Sequence, residues 1–329
     1  MSFKRLDPED FLVSIDSVTA TAWSTNSPTL TTFFTSSITS TNDSYYKNVY
    51  QTASTVSGSA VQFAIAYGNK NGSGSAFFNS TVTGSTATRT VYGQYRNLVY
   101  GSETAEFIFG TVTASDFWAI SVDRARYKEH LLKGTFNLQI KNGSSTLRLT
   151  DNSGMVSTDA YLDCGRVYQI VSGSNGLAAS GTGYSPSSGS YGLFLPDIAT
   201  ILLNPLALSQ SINLEASKSF NSDGQNISRL FTAISGAASF QINSEETVTS
   251  DYVFVRARNS EFNYSENPSF ISGSTGDVIY STFINSPQTY MTTVGFYNDT
   301  NDLLAVAKLS KPLTKDFTKE ALVRVKLDF

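Results

Sequence analysis

Residues 289–329 read as three consecutive strands, and this block constrains the fold more tightly than any other stretch of the chain. Val294 and Phe296 alternate with small or polar neighbours, residues 298–302 are five turn formers (NDTND), and an apolar-rich run returns over 303–309. The pattern predicts a hairpin. Beyond Pro312 and a charged connection, Val323, Val325, Leu327 and Phe329 fall on one face, and Arg324, Lys326 and Asp328 on the other, as in a half-buried strand. The end of the chain is thus expected to be part of the fold, with Phe329 buried in the last strand.

Composition agrees with a β-rich chain. Only 15% of the 329 residues are charged, against about a quarter in ordinary globular proteins. Ser, Thr, Asn and Gly are abundant, and the 22 Phe and 17 Tyr supply the apolar area that disordered chains lack. The length allows one large or two ordinary domains. With 23 basic against 27 acidic residues there is no general basic field for nucleic acid, so nucleic-acid binding is disfavoured. The opening MSFKRLDPEDF carries charge where a signal peptide needs an apolar core, and no apolar run approaches a membrane span. A protein kept in a cytoplasm, or packed into something assembled there, is expected, with no membrane partner. The single Cys164 excludes an intramolecular disulfide and any Cys-rich metal site.

Along the chain, Phe11, Val13, Ile15 and Ser17 alternate with Leu12, Ser14, Asp16 and Val18, which predicts a first strand behind a charged leader. Short aromatic or β-branched runs follow, VQFAIAYG, SAFFNSTV, RTVYGQYRNLVYG and AEFIFGTV, separated by Gly, Ser and Asn, and predict antiparallel strands and turns. Two segments read as helix. VDRARYKEHLL spaces Val122, Ala125, Leu131 and Leu132 helically, with Gly134 as a stop; NISRLFTAI places Ile227, Leu230, Phe231 and Ile234 on one face, with Asp223 or Asn226 as cap. The Gly/Ser-rich residues 172–190 read as a flexible loop or linker, followed by a buried strand pair or bend limited by Pro196 and Pro205. The expected fold is mainly β, with antiparallel sandwich-like sheets and two or so short helices in two β-rich domains. Their boundaries fall at 1–28 for an arm and first strand, 29–185 for a domain with a short basic helix near 122–132, and 186–329 for a second domain. No period of 20–50 residues recurs, which argues against a propeller or solenoid.

Catalytic chemistry has few carriers. His130 is the only histidine and lies beside Glu129 in a charged segment, where a surface side chain is the ordinary expectation. One His and one Cys are too few for a zinc site, and no Gly-Lys-Ser or Gly-Lys-Thr closes the Gly-rich stretch to cradle phosphate. No catalytic, cofactor or metal residue is therefore assigned. Paired acids, Asp7 with Glu9 and Asp10, or Glu245 with Glu246, read as solvated residues in preference to a glycosidase pair. Arg124, Arg126, Lys128 and Lys133 concentrate positive charge that either meets an acidic neighbour or lines a solvated face. The Tyr, Phe and Asn content also suits glycan binding, but most of the rings fall inside predicted strands and read as core.

The terminal block TVGFYND…LLAVAKLSKP with its closing LDF resembles the C-terminal module of structural proteins from large contractile-tailed bacteriophages, especially myoviruses of cyanobacteria. Residues 250–270 (SDYVFVRARNSEFNYSENPSF), 191–208 (YGLFLPDIATILLNPLAL) and 117–134 (FWAISVDRARYKEHLLKG), with Phe3, Lys4 and residues 7–11, are similar to segments of such virion proteins. The resemblance implies a non-enzymatic virion component of tail or baseplate type. It would be present in multiple copies, as a homo-oligomer or in a symmetric assembly, and held by other virion structural proteins. A neck or head position and a peripheral receptor- or glycan-binding module are the alternatives. The expected interface residues are Phe3, Lys4, Arg5, Asp7 and Phe11 in the leader, Arg124, Arg126 and Lys128 in the basic segment, and Val323, Val325, Leu327 and Phe329 in the closing strand.

Overall fold

The computed structural model describes residues 6–22, 28–35, 46–75, 79, 81–219, 223–265 and 268–328. A 3-10 turn at Pro8–Asp10 leads into β1 (Phe11–Thr21), the short β2 (Thr29–Leu30), β3 (Phe34–Thr35) and β4 (Lys47–Tyr50), and the longer β5 (Val61–Asn69). Helix α1 (Thr88–Tyr100) is followed by a small hairpin, β6 (Phe107–Phe109) and β7 (Val112–Ala114), and by β8 (Asp116–Val122). The chain continues through β9 (His130–Leu131), β10 (Asn137–Asn142), β11 (Ser145–Asp151), β12 (Ala160–Leu162), β13 (Gly165–Ser174), β14 (Leu177–Ala178), β15 (Gly192–Leu195) and β16 (Thr200–Leu203). Helices α2 (Pro205–Ile212) and α3 (Asn226–Ala237) precede β17 (Phe240–Gln241) and β18 (Ser244–Ala257), and a short α4 (Ser281–Asn285) precedes β19 (Thr289–Tyr297), β20 (Leu303–Lys315) and β21 (Ala321–Asp328). The fold is mainly β and its sheets are antiparallel, as the composition and strand patterns predict.

Two units partition these elements: a larger one, Ala20–Glu246, and a smaller, discontinuous one formed by Met1–Thr19 with Thr247–Phe329. The larger unit holds one extended sheet of order β2-β17-β10-β11-β13-β15-β16-β8-β5-β4-β3, with β12 and β14 attached to β13. Its central strands are covered on both faces, which is why Leu193 to Leu195 of β15 and Ile201 to Leu203 of β16 are consecutive apolar residues and not alternating ones. Along β8, Trp118 and Ile120 enter a core shared with α2 and α3, while Phe117 and Ala119 enter a second core shared with α1 and the β6–β7 hairpin. Helix α3 packs on β5, β8 and β10. Because β5 and β10 are far apart in the strand order, the sheet curls around that helix. Rings stiffen the core, with Phe136 stacked on Phe194 at 5.3 Å between centroids; such pairs contribute about 0.5–1.5 kcal/mol beyond area burial.

Several expectations change. The run 89–101 falls in α1 and its cap, not in a strand: Val91, Tyr92, Tyr95 and Val99 recur at helical spacing and pack into the second core, and Gly101 closes the helix in the left-handed conformation with its N–H on Asn97 O. Their β-branched and aromatic content favours a strand locally, and burial of one helical face overrides it. The basic helix near 122–132 is reduced to a 3-10 turn at Arg124–Arg126, capped by Asp123 on Ala125 N. Beyond it the backbone is taken into strand pairing: Leu132 N–H donates to Asn243 O, and His130 and Leu131 lie opposite Glu245 and Ser244. The boundary expected near residue 185 falls inside the larger unit, since β13 and β15 pair directly across the Gly/Ser-rich stretch and Ser190 within it is fully buried. Just past that stretch, Gly192 sits where any Cβ would strike the Leu202 carbonyl oxygen, so β15 begins on a glycine the sheet requires. Helix α3 forms as predicted, but Gln225 occupies its cap position, and the Asn226 side chain is spent on the Ser217 backbone at 2.8–2.9 Å. The strand pair limited by Pro196 and Pro205 is the β15–β16 hairpin. The run SAFFNSTV falls partly outside the described residues, and its described part, at 75, 79 and 81–82, is not strand.

Candidate assembly surface

The smaller unit is built on β18, which begins in the larger unit and from Ser250 onward pairs with β21 in the register Val253↔Val325 and Val255↔Val323. Strand alternation sends Ala257, Ala321, Val323 and Val325 to one side. These are the smaller unit's only buried apolar residues among those described. The opposite face is charged: Arg324 and Lys326 lie 5.7 and 5.9 Å from the Tyr252 ring, and Lys326 pairs with Asp328 at 2.8 Å. Lys326 and Ser250 together hold the Asp328 carboxyl below its ordinary range.

Three acids that sequence alone leaves solvated converge on two arginines of β18 and the loop after it. Asp10 accepts a hydrogen bond from Arg256 Nε at 2.8 Å on Oδ1 and forms an ion pair with Arg258, whose Nε lies 2.8 Å from Oδ2, and Arg258 also reaches Asp7 at 3.2 Å and Glu9 at 3.7 Å. Burial works to raise the Asp10 carboxyl, but the Arg256 and Arg258 guanidiniums outweigh it and hold it below the carboxylate range. A second anchor is Lys315 at the base of the β19–β20 hairpin, fully buried and donating to Asn259 O at 2.9 Å and Asn263 Oδ1 at 2.8 Å. Burial lowers its pKa. Strand spacing could have flagged the first anchor, because Arg256 and Arg258 are two apart in a β-pattern; nothing local flags the second.

Outside these anchors the smaller unit leaves its apolar side chains in solvent. Every residue of β1 is exposed, and its large apolar residues point to both faces: Phe11, Val13 and Ile15 to one, Leu12 and Val18 to the other, with Ile15 at 71% exposure. The β19–β20 hairpin is a sheet of two strands whose outer face carries Leu304 at 67%, Val306 and Tyr297. Isolated two-stranded hairpins are marginal in water, and contiguous exposed apolar surface marks an interaction site.

Of the residues expected at an interface, Asp7, Phe11, Val323, Val325 and Leu327 lie in the smaller unit, and Arg124, Arg126 and Lys128 in the larger. Val323 and Val325 are buried within the chain itself, on the side of β18 opposite β1, and Asp7 is held by Arg258; Phe11 is open. Phe3, Lys4, Arg5 and Phe329 lie outside the described residues. Arg124 stacks on Tyr127 at 4.8 Å, Lys128 reaches Glu246 at 4.0 Å, and Arg126 makes no ion pair among the described residues.

In the larger unit Glu245 and Glu246 diverge. Glu245 is bonded by Arg166, whose guanidinium also clasps Asp197, and His130 Nδ1 lies 3.5 Å from Asp197. Burial works to raise Asp197, and Arg166 overcomes it and lowers its pKa. A second buried set joins Tyr67 to Asp116 at 2.8 Å and Thr88 to Asp223 at 2.7 Å, and burial raises the Asp223 carboxyl. No cluster of three or more His, Cys, Asp or Glu suited to a metal occurs among the described residues. A groove of about 260 Å³ beside α1 is lined in part by Tyr46, Gln94 and Tyr95. It is smaller than the roughly 300–1,000 Å³ of typical ligand sites, and the Tyr95 hydroxyl is engaged with Ser121 at 2.8 Å. Neither a protein-family model nor a curated protein nor a solved structure matches the chain.

Proposed function

We propose that this chain is a non-enzymatic structural component of a contractile-tailed phage virion, of tail or baseplate type, acting through protein–protein contacts. The observation that carries the assembly part of this reading is the smaller unit itself. Its buried apolar set among the described residues is two alanines and two valines, while β1 and the β19–β20 hairpin hold large apolar side chains in water. A unit of this size with so little core depends on surfaces supplied by other chains. The larger unit has two aromatic-rich cores of its own. The virion part rests on the resemblance of residues 117–134, 191–208, 250–270 and the terminal block to phage structural proteins.

Mass spectrometry of purified particles, followed by placement of the chain in a density map, tests the proposal. Finding the chain in stoichiometric amounts at the tail or baseplate supports it. Finding it only in the host cytosol removes it. Within particles, Arg126→Glu separates a docking role of the basic turn from a solvated one, since incorporation falls only in the first case.

A further inference from the structure

We infer that Lys315 and Asn263 are the two halves of an intramolecular isopeptide bond, in which the Lys315 amine displaces ammonia from the Asn263 carboxamide and fastens the β19–β20 hairpin to the loop after β18. The inference goes beyond the assembly reading and does not rest on it.

The first observation is a buried charge without a counter-charge. Lys315, the last residue of β20, is 0% exposed and is the only buried lysine or arginine among the described residues. It forms no ion pair among them. Its Nζ donates instead to Asn263 Oδ1 at 2.8 Å, Asn259 O at 2.9 Å and Asp316 O at 3.1 Å. Three neutral acceptors hold the ammonium hydrogens but do not cancel the charge, and a buried charge left unpaired is among the costliest groups a fold can carry. Burial accordingly lowers the Lys315 pKa, against the fields of Asp316, Glu261 and Glu320, which raise it. Joining Nζ to the Asn263 carbonyl carbon replaces the ammonium with a neutral secondary amide and removes that cost.

The second is that the carboxamide is held in place. Asn263 is 3% exposed, and its Nδ2 donates to Asn259 O at 2.7 Å, the same carbonyl that accepts from Lys315. Amine and amide therefore meet directly and share one acceptor. The preceding Phe262 is held in the left-handed region at φ 55°, which a bulky side chain adopts only when its surroundings impose it. Those surroundings include the hairpin itself: Thr289, opposite Lys315 in the register, donates from Oγ1 to Phe262 O at 2.7 Å. Two groups fixed in this way react as if at very high concentration.

The third is that the step balances without any further reactant. The Lys315 ammonium gives one proton to the carboxylates around it and through them to water. Its lone pair then attacks Asn263 Cγ; the Nζ–Cγ bond forms, the Cγ–Nδ2 bond breaks, and Nδ2 leaves as ammonia with its own two hydrogens and one from Nζ. Nothing is oxidised or reduced, and escape of ammonia into bulk water draws the exchange forward. The product closes a loop between residues 52 apart in a unit with a small core, where a cross-link stabilises by restricting the unfolded chain.

Intact-mass spectrometry of the purified full-length protein tests the inference, followed by tryptic mapping. The parent chain should be lighter than its sequence by one ammonia. Residues 259–308 and 309–319 should leave trypsin as a single joined species, since a modified Lys315 is not cut and Lys311 precedes Pro312. Lys315→Met and Asn263→Ala should each keep the full mass of their own sequence and release the two peptides separately. Hydrogen exchange over 250–257 and 321–328, the paired parts of β18 and β21, reports whether the smaller unit of the parent is folded. A folded parent chain of full sequence mass overturns the inference. So does an ammonia loss that maps to a cyclised asparagine within one peptide, or one that persists in Lys315→Met.

Discussion

Arg256 Nε donates to Asp10 Oδ1 at 2.8 Å across 246 residues of sequence, and so ties the segment that precedes β1 to the far end of β18. Between these two residues in the chain lies the whole of the larger unit. The larger unit is therefore an insertion in the smaller one, and the smaller one cannot form until the chain on both sides of the insertion has been made.

Asp10→Asn should loosen that tie. The amide cannot balance two guanidiniums, so hydrogen exchange is expected to rise over residues 11–19 and 250–258, while the Trp118 near-UV band of the larger unit is unchanged. Acid should do the same to the parent chain. Since Asp10 is held below the ordinary aspartate value of 3.8, its contribution is fully present at neutral pH. It begins to fade as pH drops past that value and is gone below the folded one. Loosening that begins above pH 5 would contradict the assignment.

Removal of residues 325–329 takes away the part of β21 that faces Ser250 to Val253 of β18, including the Ser250–Asp328 bond at 2.7 Å. With so few buried apolar residues in the unit, loss of Val325 alone removes a large share of its core. Protease resistance of the smaller unit and incorporation into particles should both be lost. Normal incorporation of this truncation would show that the closing strand is dispensable.

Residues 20–246 should fold as an isolated fragment, because both aromatic-rich cores lie inside that range. Cooperative urea unfolding of the fragment is the expected result. Phe194→Ala in it should lower stability by about 3–5 kcal/mol, since the ring stacks on Phe136 and is fully buried.

Two arginines of the larger unit should behave oppositely. Arg166→Met strands Glu245 and Asp197 without their cation, and breaking such a buried set typically lowers stability by about 3–5 kcal/mol. Arg126→Glu, at an exposed turn, should stay within about 0.5 kcal/mol of the parent. Denaturant midpoints of the two variants measured side by side distinguish them.

The parts of the fold that were legible in sequence are those whose pattern is set by immediate neighbours. Alternation in residues 323–328 predicts β21, the five turn formers at 298–302 predict the hairpin, and the spacing of Ile227, Leu230 and Ile234 predicts α3. The helix at 88–100 and the strand at 130–131 were not legible, because each is decided by a distant surface: the Phe107 and Phe117 cluster that receives Tyr92, and the start of β18, which pairs with His130 and Leu131. At the candidate site, β1 could be read as a strand with polar and apolar alternation. Its exposure on both faces could not, since burial depends on what else the chain brings alongside.

By itself the sequence determined that this is a β-rich chain with few charges, a hairpin and a half-buried closing strand near its end, since period-two alternation and turn chemistry act over a handful of residues. Only the tertiary structure decided that the chain splits at 19/20 and 246/247, that Asp7, Glu9 and Asp10 are spent on Arg256 and Arg258, and that β1 and the hairpin stand uncovered. Those outcomes depend on pairings between residues hundreds of positions apart, for which a local pattern carries no information.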